Sequence, residues 1–177
     1  MQQLLTRIAE VLGFLSRMAL WIAGIGLVLM TAIVALQVFA RYVLNNSPSW
    51  TEASAILVMS WFIMLGAAVG VRENFHMGFD VLLYFLPPGA QPWLRSISDL
   101  AVLAFGSGMV VYGLQLSIRT WTATIPVLHL PGGFNYMPLG AGGVLIAIFA
   151  LERLARRLAG MPVDRPLTAE DAVASEA

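Results

Sequence analysis

Residues 41 to 52 read RYVLNNSPSWTE and form a polar interruption between two long apolar runs. The run before it, 18–40, has 23 residues without a charge, and the run after it, 53–71, has 19. As helices rising about 1.5 Å per residue, these runs are about 35 and 28 Å long. The hydrocarbon core of a bilayer is about 30 Å thick. The stretch therefore predicts a hairpin of two membrane-spanning helices.

The composition of the whole chain agrees with a membrane protein. The 177 residues are 59% hydrophobic and 11% charged, with a mean hydropathy of +0.80, whereas soluble domains carry about 25% charged residues. Two further charge-free runs occupy 100–118 and 120–151, and prolines and glycines interrupt the first half of the second run. We predict an all-α integral membrane protein with a membrane domain at 18–160. Its four transmembrane helices are expected at about 18–40, 51–71, 94–118 and 134–156.

Arginine placement predicts the orientation of these spans. The chain has no lysine, and eight of its ten basic residues lie in the N-terminal segment, the second loop and the C-terminal segment. Only Arg41 and Arg119 lie on the other side. The positive-inside rule then places both termini in the cytoplasm.

Three segments flank or connect the spans. Apolar residues recur at helical spacing in 1–17, which is typical of an amphipathic helix in the membrane interface; a simple extension of the first span fits equally well. FHMGFDVLLYFL, residues 75–86, is too short to cross and predicts a second interfacial helix between spans two and three. The tail, 161–177, is rich in alanine, proline and acidic residues and is expected to be disordered.

The inventory of reactive side chains argues against catalysis. The chain has no cysteine, and the middles of the spans lack ionisable residues, so we predict no buried ionisable residue and no ion path. His76 and His129 fall on opposite sides of the membrane and cannot ligate one haem iron. His76 and Asp80 form an i,i+4 pair that suits a surface or headgroup contact. No enzyme activity, cofactor or metal site is expected.

Small residues are spaced for close helix packing. Gly66 and Gly70 form a GxxxG motif in the second span, and Ala104 with Gly108 and Gly143 with Ala147 repeat the spacing. Such pairs let helix backbones approach closely in membranes. They favour a tight bundle, or docking onto another membrane protein.

The opening stretch also contains a predicted helix start. Ser49 to Glu52 reads S-x-x-E, which is the pattern of a capping box. Arg41 lies on the side that positive charges avoid, and Glu52 is its nearest candidate counter-charge. Trp50 between them is expected to face a partner protein.

Beyond these physical arguments, a longer pattern of residues marks a family. It comprises Arg41, Tyr42, Asn45, Ser47, Trp50, Glu52, Trp61, Gly66, Ala67, Arg72, His76, Asp80, Leu86 and Pro87. In order and spacing it resembles the small, Q-type membrane subunit (DctQ-like) of tripartite ATP-independent periplasmic (TRAP) transporters. Ala53 departs from the family, which often has a second acidic residue there.

The resemblance implies a non-catalytic scaffold subunit in the bacterial inner membrane. Its partners would be a large multispan membrane subunit, which performs sodium-coupled import of organic acids, and a periplasmic substrate-binding protein. No nucleic-acid partner is expected, because the net charge of the chain is near zero. Two alternatives remain from the residues alone, namely an independent small carrier or channel and a membrane-bound redox enzyme.

Overall fold

Four long helices form the described part of the chain, which in this computed structural model comprises residues 2–46, 48–73 and 91–158. They are α1 (Gln2–Tyr42), α2 (Trp50–Arg72), α3 (Gln91–Arg119) and α4 (Met137–Leu158), with a short 3-10 helix (Gly132–Asn135) before α4. Each is long and apolar enough to cross a membrane, and no strand occurs among these residues. The all-α, four-span prediction is confirmed.

The first helix is continuous over 41 residues, about 61 Å. The helix runs without a break from Gln2 through the predicted boundary between residues 17 and 18 into the first span. The reason is local: no proline interrupts residues 2–42, and an amphipathic pattern is compatible with either arrangement. The predicted interfacial helix at 75–86 and the tail at 161–177 lie outside the described residues.

The start of the last helix agrees with the predicted span, about 134–156, to within three residues. The polypeptide turns through the 3-10 helix Gly132–Asn135 and enters α4 at Met137. Pro138 occupies the first turn of α4, where a missing backbone N–H costs no intrahelical hydrogen bond.

The helices lie in a row in the order α1, α2, α4, α3. α2 and α3 each pack on α4 but make no extensive contact with one another. One apolar cluster joins Leu12 of α1 to Ala68, Ile146 and Phe149 of the two central helices. Along the helix axes the bundle has two ends. We call the one with the start of α1 and the end of α4 the arginine end, and the one with residues 43–46, 48–49 and 120–136 the hairpin end.

Glycines bring α3 and α4 into backbone contact. A Cβ atom added at Gly113 would lie 2.7 Å from the backbone nitrogen of Gly140, and one added at Gly106 would lie 3.0 Å from that of Ala147. The predicted Gly143–Ala147 motif is therefore used in packing between helices. By contrast, Cβ atoms added at Gly66, Gly70 or Gly108 meet nothing within 4 Å. The GxxxG motif of α2 is left open by the described residues.

Replacing Gly113 with leucine tests the α3–α4 contact. We expect Gly113→Leu to lower the free energy of unfolding by at least about 1–3 kcal/mol, the usual cost of overpacking, because the side chain has no space beside Gly140. Denaturant unfolding in detergent micelles measures the change. Gly24→Leu is the control, since a Cβ at Gly24 meets nothing within 4 Å. Equal stability of the two variants would contradict the close approach.

Candidate functional site

Six charged side chains meet at the arginine end, and we call them the charge network: Arg72, Asp99, Glu152, Arg153, Arg156 and Arg157. Asp99, Glu152 and Arg156 are buried, with 1%, 7% and 5% of their surfaces exposed. The expectation of no buried ionisable residue is therefore wrong. The prediction failed because it considered only the middles of the spans, and these charged residues lie near the ends of the helices.

Arg72 connects three helices from the end of α2. Its two terminal nitrogens donate to the carbonyl oxygens of Leu12 (2.7 Å) and Ala9 (3.1 Å) on α1. Its Nε lies 3.8 Å from Oε2 of Glu152 on α4, and its guanidinium lies 5.5 Å from the ring centroid of Phe149. Only arginine offers this planar fork of donors together with stacking on an aromatic ring.

The guanidinium of Arg72 lies directly beside Gly13 of α1. A Cβ atom at Gly13 would lie 3.4 Å from Nη2 of Arg72, which is ordinary van der Waals contact. Gly13 lies one residue after Leu12, whose carbonyl accepts the shorter hydrogen bond. Gly13 thus lies at the point where the Arg72 side chain contacts α1.

Asp99 performs the corresponding role for α3. Its Oδ1 lies 2.8 Å from Arg153 and its Oδ2 lies 3.1 Å from Arg157, two arginines one turn apart on α4. Arg153 also donates to the carbonyl oxygen of Val71 on α2 at 2.6 Å. One carboxylate and one arginine therefore fasten α3, α4 and α2 together.

Glu152 completes the charge network between Arg72 and Arg156, each at 3.8 Å. Each carboxylate thus faces two guanidinium groups. Buried charges cost several kcal/mol each in lost solvation, and this cost is offset only when they are well paired. Among the described residues no three His, Asp or Glu side chains come together as a metal site. The arrangement fixes helix positions; it is not built like a cation site, in which several carboxylate or carbonyl oxygens face an ion.

The sequence carried a partial signal for this site. Glu152 and Arg156 are spaced i,i+4 on one helix, which favours pairing. Asp99 carries no comparable local signal, because its two partners are more than fifty residues away in the sequence. Arg72 was the one member of the charge network that the family pattern singled out.

The hairpin end does not contain the predicted ion pair. Arg41 and Glu52 are both exposed, and none of the ion pairs among the described residues joins them. Asn45 has a positive φ of 51°, a conformation that asparagine tolerates in tight turns. Tyr42 and Trp50 are 76% and 42% exposed, so both rings are available to a partner or to lipid.

The predicted capping box at Ser49 is also wrong. Ser49 has helical backbone angles (φ −66°, ψ −23°) and makes no side-chain cap hydrogen bond, whereas a capping residue needs non-helical angles to reach the helix amides. The hydroxyl of Thr51 instead donates to the carbonyl oxygen of Pro48 at 2.7 Å, and Thr51 is fully buried. The side-chain hydrogen bond at the start of α2 is therefore made by Thr51 and not by Ser49.

The other predicted site residues are dispersed. Gly66 and Gly70 lie on α2 with open space beside them, and Arg72 belongs to the charge network. His76 and Asp80 lie outside the described residues. The structure thus brings one of the predicted residues into a cluster, and the sequence analysis did not anticipate the carboxylates that surround it.

Comparison with known proteins gives consistent matches. Residues 30–160 match the family described as "Tripartite ATP-independent periplasmic transporters, DctQ component". The chain is 31% identical, over 132 residues, to a protein of Haemophilus influenzae named as a TRAP transporter small permease protein. That alignment covers 72% of this chain and 80% of the relative.

Two further relatives are named for sialic acid. The small permease protein SiaQ of Vibrio cholerae is 26% identical over 70% of this chain and 71% of its own length. The permease protein SiaT of Haemophilus influenzae is 25% identical over 79% of this chain but only 22% of its own length. In SiaT, a segment similar to this chain therefore forms part of a much longer polypeptide.

Replacing Asp99 with asparagine tests the charge network. We expect Asp99→Asn to lower the free energy of unfolding by about 3–5 kcal/mol, because it leaves the partly buried guanidinium groups of Arg153 and Arg157 without their carboxylate. Denaturant unfolding in micelles measures the loss. Glu52→Gln is the matched control: it removes an exposed carboxylate and should change stability by no more than about 0.5 kcal/mol. If both variants unfold alike, the charge network does not stabilise the fold.

Proposed function

Because the chain belongs to the DctQ-component family of tripartite ATP-independent periplasmic transporters, we propose that it is the scaffold subunit of a sodium-coupled importer of organic acids. In this role it binds and stabilises a large transport subunit without forming the substrate path. The similar proteins are transporter subunits and not enzymes, and the same holds for this chain.

The observation that carries the proposal is how the buried charges are used. Both buried carboxylates of the charge network face arginines of the same chain, and Arg72 and Arg153 also donate to backbone carbonyls of neighbouring helices. Carriers and channels place ionisable groups along a path through the membrane. Here these groups are collected at one end and hold helices together, which suits a fixed subunit.

The proposed partner is a large multispan membrane subunit. An open row of helices leaves broad apolar surfaces, and in the relative SiaT a segment similar to this chain is joined to a longer permease polypeptide. A periplasmic substrate-binding protein completes the proposed transporter. Relatives named for sialic acid support an organic acid as the substrate class.

The proposed location is the bacterial inner membrane with both termini in the cytoplasm. Support comes from the arginines, since the arginine end carries the charge network and the hairpin end has only Arg41 and Arg119. This orientation directs the hairpin end toward the periplasm. Tyr42, Trp50 and Glu52 are exposed there, and we propose that this surface contacts the large subunit or the docked binding protein.

Reconstitution into liposomes tests the proposal. We expect sodium-driven uptake of an organic acid only when this chain, the large subunit and the binding protein are all present, because the path lies in the large subunit. Uptake of labelled substrate into vesicles is measured with and without a sodium gradient. Vesicles that contain this chain alone should show the background rate of empty vesicles. Sodium-dependent uptake by this chain alone would contradict the scaffold role and favour an independent carrier.

A further inference from the structure

An apolar groove of about 750 Å³ runs between α2 and α3, and we call it the α2–α3 groove. Ala67 and Gly70 form one wall, Ala101 and Phe105 lie on the other, and Ile146 of α4 belongs to its lining. It exists because α2 and α3 both pack on α4 without packing on each other. The groove lies toward the arginine end, beside the last residues of α2 and the first residues of α3.

The α2 wall of the groove presents bare backbone. A Cβ atom added at Gly70 would meet nothing within 4 Å, whereas one added at Gly106, Gly113 or Gly143, between α3 and α4, would meet another atom within 3.0 Å. A glycine in the middle of a helix costs about 1 kcal/mol relative to alanine. At Gly106 and Gly113 this cost is offset because another helix packs against the glycine. At Gly70 no described residue packs against the glycine, so nothing among the described residues offsets the cost.

The α3 wall contains one polar side chain, Ser98. Its hydroxyl makes no hydrogen bond with any part of the chain that the structure describes. Ser60 and Ser107, on the same two helices, donate to the carbonyl oxygens four residues before them at 3.0 and 2.8 Å. Ser98 is half-buried and lies one residue before Asp99, near the start of α3, and serine commonly bonds across helix interfaces in membrane proteins.

We propose that a transmembrane helix of the large transport subunit occupies the α2–α3 groove. The inference rests on the proposed function and names the surface through which it acts. Close helix approach explains the bare backbone at Gly70, and a polar group of that helix would bond Ser98. A lipid tail needs no glycine and offers Ser98 no hydrogen bond. In SiaT the segment similar to this chain continues into a longer permease polypeptide, which favours a polypeptide occupant.

Co-purification with the large subunit of the same transporter tests this surface. We expect Gly70→Leu and Ala101→Trp, which fill the groove from opposite walls, to reduce co-purification at least tenfold. Ser98→Ala should weaken binding roughly threefold, the equivalent of ~0.6 kcal/mol for a hydrogen bond between membrane helices. Gly24→Leu is the matched control, because it also adds a side chain where nothing lies within 4 Å, but on α1. It should co-purify like the wild type.

Two measurements separate the possible causes of failure. Gly70→Leu should not lower the unfolding midpoint of the isolated chain, since its Cβ meets nothing within 4 Å and leucine favours a helix more than glycine does. Wild-type chain that does not co-purify at all would overturn the proposed function itself. Wild-type chain that co-purifies while the groove variants do so equally well would overturn only the groove as the contact surface.

A spin label distinguishes a protein helix from lipid in the groove. The chain has no cysteine, so Ala101→Cys carries a nitroxide at one position only. We expect its accessibility to oxygen in the membrane to fall when the large subunit is present. A label on Val28→Cys, at a 69% exposed position of α1, should not change. An accessibility at residue 101 that stays high in the assembled complex would mean that lipid fills the groove, and would overturn the inference.

Discussion

The guanidinium of Arg72 reaches from the end of α2 to two carbonyl oxygens of α1 and to a carboxylate of α4. This contact matters because apolar side chains do not choose a partner in a bilayer, where lipid tails are as apolar as leucine. Helix positions must then come from polar contacts and close backbone packing. Arg72 supplies the first kind for α1, whose remaining apolar surface is largely exposed.

The same logic explains the order of the helices. Asp99 attaches α3 to α4 through two arginines, and the glycines of the same two helices let their backbones touch. α4 therefore lies between its neighbours, and α2 and α3 are kept apart by it. A row of this kind is stable at its arginine end yet leaves a groove and broad membrane-facing surfaces. Such a shape suits a subunit whose function is to hold another protein.

Features of the fold that depend on neighbouring residues could be predicted from the sequence, whereas contacts between residues far apart in the sequence could not. The four spans follow from charge-free runs, which are local. Three of them agree with the helices to within three residues, and α1 begins sixteen residues before the predicted first span. Ser49 directly precedes α2, as predicted, but its helical backbone angles prevent side-chain capping, and the S-x-x-E pattern does not specify those angles. The pairing of Asp99 with Arg153 joins distant residues and leaves no local pattern. Likewise, the glycine spacing of α2 resembles that of α4, and only the packing shows that Gly143 is filled and Gly70 is not.

The most direct test of the account is a distance between α1 and α4 at the arginine end. Val11 and Leu151 are both exposed, and the natural chain has no cysteine. Spin labels on the double variant Val11→Cys, Leu151→Cys therefore report that distance by double electron–electron resonance. We predict a narrow distribution in the wild type and with Arg41→Met, which changes an exposed arginine. Arg72→Met should give a longer and broader distribution, because α1 loses both hydrogen bonds and its link to Glu152. An unchanged distribution in Arg72→Met would contradict the claim that this side chain holds the row together.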